Sequence, residues 1–246
     1  MGDAALVASA HAATLTELLG SCGATTSFSN TPWRRVLSDA ALGLTVFDAE
    51  VPGDPMRSFK GVCELPFPPR ECYGVLDDHA ARVQWDTNLA ALEAVALCEA
   101  PVRASLLHSV TKAVGPIAAR DFIDVCVLLE LTGEEAPAGP EGFRAPKGTV
   151  VSGGVGVESD ARFPEGAGSG SGAVRGVNGS SGWVFEPLLG EDGVTVRGTR
   201  IHYVILTHLR GWLPALVVNS GVAGSYKTFF RDLGKRLEQM AKEGGK

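Results

Sequence analysis

Between residues 92 and 207 the chain carries seven strand-like segments in succession, with no helical period among them. They read 92–98, 102–110, 121–131, 148–158, 172–178, 182–188 and 194–207, and Gly/Pro-rich breaks separate most of them. Strands that follow one another directly pair antiparallel, because a parallel pair needs a long crossover, usually a helix. Two more strands are predicted between Leu44 and about Leu65, around a turn at Gly53-Asp54-Pro55. Pro66-Phe67-Pro68-Pro69 then opens a short helix with Cys72, Val75 and Leu76 as its apolar stripe.

The period changes after the strands. Tyr226, Phe229, Phe230, Leu233, Leu237 and Met240 recur three or four apart, which is one face of an amphipathic helix. Ser225 is predicted as its N-cap, and Pro214 as the start of an earlier segment with Gly221 and Gly224 as a joint. Lys and Arg crowd its last turns, as the helix dipole favours. Such a stripe has to be buried against the sheet. The expected fold is therefore α+β, a curved antiparallel sheet of about nine strands closed by a long C-terminal helix around a cavity. Leu6, Ala10, Ala13 and Leu18 mark a further helix over residues 3–20, stopped by Gly20 and Gly23. Residues 1–30 are expected to be an N-terminal helical extension and 31–243 the main domain.

The bulk chemistry narrows the function. The net charge is −6 and no basic run occurs, so a nucleic-acid groove is excluded and strong capture by anionic membranes is disfavoured. The five cysteines are odd in number and none has CxxC or Cys/His metal spacing, which predicts free thiols in a reducing compartment. No apolar run is long enough to cross a membrane. No basic n-region precedes the Ala/Leu-rich start, which reads as a helix rather than a signal peptide. A cytoplasmic monomer without a cofactor is expected.

Enzymatic motifs are missing. The glycine-rich loop 163–172 fits neither GxGxxG nor a P-loop and is expected to be a mobile connector. His202 and His208 stand six apart in a strand, roughly 20 Å, and cannot share a metal. There is no HExxH and no GxSxG. The pairs Asp77-Asp78 and Glu134-Glu135 lie at turns and read as solvated charge.

Four segments resemble the START family of lipid-transfer domains. Arg82-Val83-Gln84-Trp85-Asp86 is similar to its R-x-x-W-D signature, and Ala119-Arg120-Asp121-Phe122 to the S-R-D-F/Y that opens a central strand. Gly172-Ala173-Val174-Arg175-Gly176 resembles G-x-V-R, and Gly211–Asn219 resembles G-x-[LI]-P-x-x-L-[VI]-N before the last helix. They fall in the family's order across about 33–240. The resemblance implies a helix-grip fold with an internal tunnel for one lipid, its lid formed by the loop at about 163–172 and the last helix. It implies lipid contacts at Arg82, Asp86, Ser105, Leu107, Ser109, Phe122, Asp124, Cys126, Arg175, Tyr203 and Val217. It further implies transient contact with a membrane surface, through Trp212 or the Phe163 loop, with Trp212 the better fitted to packing.

The departures bear on the ligand. The positions of the family's choline cage carry Ser109, Phe122 and Gly179, so only one is aromatic. The positions of its sterol-carrier acid and arginine carry Leu107 and Cys126. Trp85 is expected in the core, and Arg82, Asp86 and Arg120 in an ion-pair network that serves the fold or a head group. Asp124 leaves two readings open. By strand alternation it shares a tunnel face with Phe122 and Cys126. Yet Ile123, Val125, Val127 and Leu129 make the other face wholly apolar, and simple burial would turn that face inward and leave Asp124 in water. Two other functions compete with a carrier: an enzyme on a related scaffold, using Asp124, His108 and Tyr203, or a ligand-sensing module for a protein partner.

Overall fold

The strand-only stretch forms one antiparallel sheet in the computed structural model, which describes residues 2–23, 31–100, 102–115, 117–134, 143–165, 172–211 and 214–244. The strands are β1 (Arg34–Asp39), β2 (Leu44–Val51), β3 (Asp54–Leu65), β4 (Leu89–Cys98), β5 (Arg103–Thr111), β6 (Arg120–Glu130), β7 (Val150–Gly156), β8 (Val174–Arg175), β9 (Val177–Asn178), β10 (Ser181–Leu189) and β11 (Val196–His208). Nine of them run in the order β1-β2-β3-β11-β10-β7-β6-β5-β4. The short β8 pairs β6 in parallel, and β9 pairs β11. β1 carries no apolar alternation, being an exposed edge strand with the sequence Arg-Arg-Val-Leu-Ser-Asp, and is the strand the sequence reading misses.

Helix α5 (Ala215–Gly244) lies across the concave face. Tyr226, Phe229, Phe230, Leu233 and Leu237 are buried in one core with Phe59, Trp183, Phe185 and Ile201. Five such side chains contribute roughly 10 kcal/mol of transfer free energy. Two expectations need correction. Met240 is 42% exposed, because the helix there has run past its cover. Ser225 is no N-cap: α5 is continuous from Ala215, and the Ser225 hydroxyl donates to the Val222 carbonyl. The first turn closes on Pro214, whose carbonyl accepts from the N–H of Val217 and of Val218.

Gly61 on β3 sets how closely the helix approaches. A Cβ there would stand 2.4 Å from Cδ1 of Tyr226. The ring therefore lies directly on the strand, and its hydroxyl donates to the carbonyls of Phe59 (3.2 Å) and Tyr203 (3.3 Å). Helices α3 (Pro69–Asp77) and α4 (His79–Trp85) bridge β3 to β4. Trp85 is partly buried and packs against Phe229 at 6.0 Å.

The convex face is covered too, by the N-terminus. Helix α1 (Asp3–Ala13), a π turn (Thr14–Leu18) and α2 (Leu19–Gly23) run over β6, β7 and β10. The helical run thus passes Gly20 and extends as far as Gly23, the last residue described before 31. Ala10 packs with Ile123, Val125 and Val127, while Leu18 and Cys22 pack with Val151, Val184 and Val204. Gly153 makes room for this, since a Cβ there would meet Leu18 at 2.6 Å and Thr14 at 2.7 Å. The end of α2 is fastened by the buried Lys60, whose Nζ lies 2.9 Å from the Ser21 carbonyl and 4.8 Å above the Trp33 ring. Strand β6 is therefore buried on both faces, which removes the conflict over Asp124.

Candidate functional site: a cavity between the sheet and the last helix

Between the concave face and α5 lies a cavity of about 560 Å³. Alternation along three strands supplies its wall: Leu107 and Ser109 from β5, Phe122, Asp124 and Cys126 from β6, and Tyr203, Ile205 and Thr207 from β11. Trp183 stacks on Tyr203 with ring centroids 3.5 Å apart and touches Phe229 at 4.7 Å, forming an aromatic floor. The roof is the apolar side of α5, with Val218, Val222 and Phe229. The β5–β6 loop (Val114, Ile117) and Leu209 after β11 add to the lining, as do His79 and Lys112.

Arg82 and Asp86 stand at the α4 side of the cavity. Both Nε and Nη2 of Arg82 lie 3.3 Å from Oδ2 of Asp86, which is 2% exposed. Asp86 also accepts from the Asn88 N–H at 3.2 Å. Burial raises the Asp86 carboxyl above the usual range, and the arginine only partly opposes that. The pair also holds the turn into β4, where the Thr87 side chain donates to Asp232 of α5 at 2.5 Å. Arg120 takes no part in it. Its guanidinium donates to the carbonyls of Ala118 (2.7 Å), Leu209 (2.7 Å) and Arg210 (3.2 Å). It thus ties the two loops together, and it holds Arg210 in a left-handed conformation (φ 49°).

Asp124 faces the cavity. It is half-buried, and the surface left to it lines the cavity. Burial lifts its carboxyl to about 6, opposed only by the hydrogen bond from Asn178. Asn178 Nδ2 lies 3.1 Å from each carboxylate oxygen. Burial likewise pushes the Cys126 thiol and the Tyr203 phenol well above their ordinary values, so both stay neutral.

Of the residues the resemblance nominated, Arg82, Asp86, Leu107, Ser109, Phe122, Asp124, Cys126 and Tyr203 line this cavity. Three do not. Ser105 lies farther along β5, in a small crevice with Tyr73 and Arg103. Val217 is turned off the lining, since one residue along a helix rotates the side chain by about 100° and brings Val218 in instead. Arg175 is on the convex side, because β8 pairs in register with Asp121 rather than Phe122. There its Nε and Nη2 lie 2.9 and 2.7 Å from Oδ2 of Asp121. His108 joins them, 3.2 Å from the same oxygen and stacked on Phe163. Burial alone would raise the Asp121 carboxyl, but the bonds from Arg175 and His108 outweigh it and hold it low.

The lid expectation shifts accordingly. Phe163 is 5% exposed beneath α1, so it offers no surface to a bilayer, and no described residue of 157–176 lines the cavity. Residues 166–171 and Trp212 lie outside the described part. Sequence reasoning missed Asn178 and Thr207. Alternation from Tyr203 through Ile205 would have reached Thr207, whereas Asn178 sits on a two-residue strand that carries no period.

Comparison with known proteins agrees with this geometry. A family model described as START domain matches residues 33–243. StAR-related lipid transfer protein 5 of Homo sapiens and that of Pongo abelii are each 31% identical over 159 residues, which is 65% of this chain and 64% of their own length. The solved structure of the human protein superimposes with a TM-score of 0.68 at 22% identity, covering 85% of this chain and 88% of that one. A StAR-related lipid transfer protein from Xanthomonas axonopodis superimposes with 0.62 at 17% identity, covering 84% and 98%. Human STARD10 gives 0.62 at 19% identity, covering 85% and 76%. At these identities the superpositions speak for the fold.

Proposed function

Because the chain belongs to the START domain family, a family of lipid binding and transfer, we propose that it carries one hydrophobic molecule in the cavity described above and performs no chemistry on it. The observation that carries this reading is the cavity itself, about 560 Å³ in volume and roofed by α5. That size suits one small-molecule ligand, and apolar walls with a few placed polar groups are what such ligands need. The cargo belongs to the sterol or the phospholipid/sphingolipid class. An acid–base enzyme is disfavoured by position: His108 and Asp124 are on opposite faces of the sheet, and the Tyr203 phenol is held neutral.

The carrier works from the cytoplasm as a monomer and meets membranes transiently. Five free cysteines suit a reducing compartment. Val114 on the cavity's loop is 60% exposed and Leu216 in the first turn of α5 is 79% exposed, an apolar rim suited to brief contact with a bilayer. Native mass spectrometry of the purified protein, followed by solvent extraction, tests the reading. One lipid of a single class per chain is expected. A protein that is empty, and that takes up no sterol, phospholipid or fatty acid, refutes it.

A further inference from the structure

Asp124, Asn178 and Thr207 form a row of polar side chains on the sheet side of the cavity. The ladder explains the row: Asn178 of β9 is paired with Thr207 of β11, and its side chain reaches Asp124 of β6. What distinguishes the row is its imbalance. Both carboxylate oxygens of Asp124 accept from a single nitrogen of Asn178. Oδ1 of Asn178 is buried and has no partner. Oγ1 of Thr207, a residue 4% exposed, is buried and has no partner either. Among the described residues Asp124 has no ion-pair partner: Arg82 is engaged with Asp86, and Arg120 with backbone carbonyls. The row therefore presents acceptors in excess of donors inside a low-dielectric space. Leaving buried polar atoms without a partner is costly, so a ligand that pairs them is favoured.

We infer that this row is the polar subsite of the ligand cavity and that it selects a hydrophobic molecule whose polar end donates a hydrogen bond, a hydroxyl or an ammonium. A donor on the ligand gives the Asp124 carboxylate a second partner beside Asn178, and a hydroxyl can also accept from Thr207. A ketone would bring one more acceptor to a wall of acceptors. A carboxylate or phosphate would bring a second negative charge beside Asp124. The inference rests on the carrier reading above and adds the chemistry of the cargo.

The test uses the full chain, stripped of lipid, and five probes: cholesterol, its 3-keto analogue cholestenone, sphingosine, oleate and dioleoylphosphatidylcholine. Affinities are measured for the native chain, Asp124→Asn and Thr207→Val. The native chain is expected to bind cholesterol or sphingosine at least tenfold tighter than the other three, and which of the two wins tells hydroxyl from ammonium. Asp124→Asn replaces an acceptor by a group that also donates, so the preference for cholesterol over cholestenone should narrow to under about threefold. Thr207→Val keeps the shape and removes only the hydroxyl, and should weaken cholesterol more than cholestenone. Binding of cholestenone, oleate or phosphatidylcholine as tight as that of the donor ligands overturns the subsite and leaves the carrier reading standing. Equal preferences in the native chain and in Asp124→Asn do the same. Retention of none of the five overturns both.

Discussion

Replacing Asp124 by Asn should make the ligand-free protein more stable near neutral pH and change it least in acid. The carboxyl stands at about 6 in the folded chain against 3.8 for an unhindered aspartate, because burial penalises its charge. Between those values the native state still holds a proton that the unfolded chain has released, so stability falls as pH rises from about 4 to about 6. At about 1.4 kcal/mol for each tenfold in proton affinity the full loss is about 3 kcal/mol. Roughly 2–3 kcal/mol of it falls between pH 4 and pH 7.5. The asparagine has no such loss, and its new N–H donors can pair the orphaned Oδ1 of Asn178 at any pH. Every other titrating group is shared by the two proteins and cancels in the difference. Urea denaturation of both delipidated chains at pH 4, 5.5 and 7.5 measures this. The advantage of the variant should grow by about 2–3 kcal/mol across the series, or about 5–10 °C in Tm for a chain of this size. A difference that stays flat within about 0.5 kcal/mol would mean that the carboxyl is hydrated, and it would refute the reasoning that burial raises it.

Three further outcomes are expected. Gly61→Ala puts a Cβ 2.4 Å from the buried Tyr226 ring, so α5 must move outward; a loss of about 1–3 kcal/mol should be seen in thermal or urea unfolding. Asp121→Ala leaves the buried Arg175 guanidinium without its counter-charge and should cost about 3–5 kcal/mol by the same measurement, while cargo binding by the surviving folded fraction is retained, since that cluster lies on the convex side. Leu216→Glu puts a charge on the exposed rim without touching the cavity lining; it should slow lipid transfer between vesicles at least threefold in a fluorescence assay and leave cargo affinity unchanged.

The antiparallel sheet and the long last helix were legible in the residues because both rest on local periods. Strand follows strand from 92 to 207 without a crossover, and Tyr226 to Leu237 recur at helical spacing. Cavity residues followed from the same alternation, which puts Leu107, Phe122, Asp124 and Tyr203 on one face. Periodicity reports that a side chain shares a face with its neighbours, but not what covers that face. The two-sided burial of β6 was invisible for this reason, since it depends on α1 arriving from far away in sequence. Arg175 was misplaced because the register of a two-residue parallel pairing has no signature in its own residues. Ser225 resembled a cap because Ser at a period break favours one, yet contacts of α5 with the sheet carried the helix back to Ala215. The elements, their order and the face each strand presents could be read from the residues, because all follow from nearest-neighbour chemistry. Which faces are covered and which polar atoms are left without partners emerged with the folded chain, because burial and hydrogen-bond satisfaction are properties of segments brought together in space.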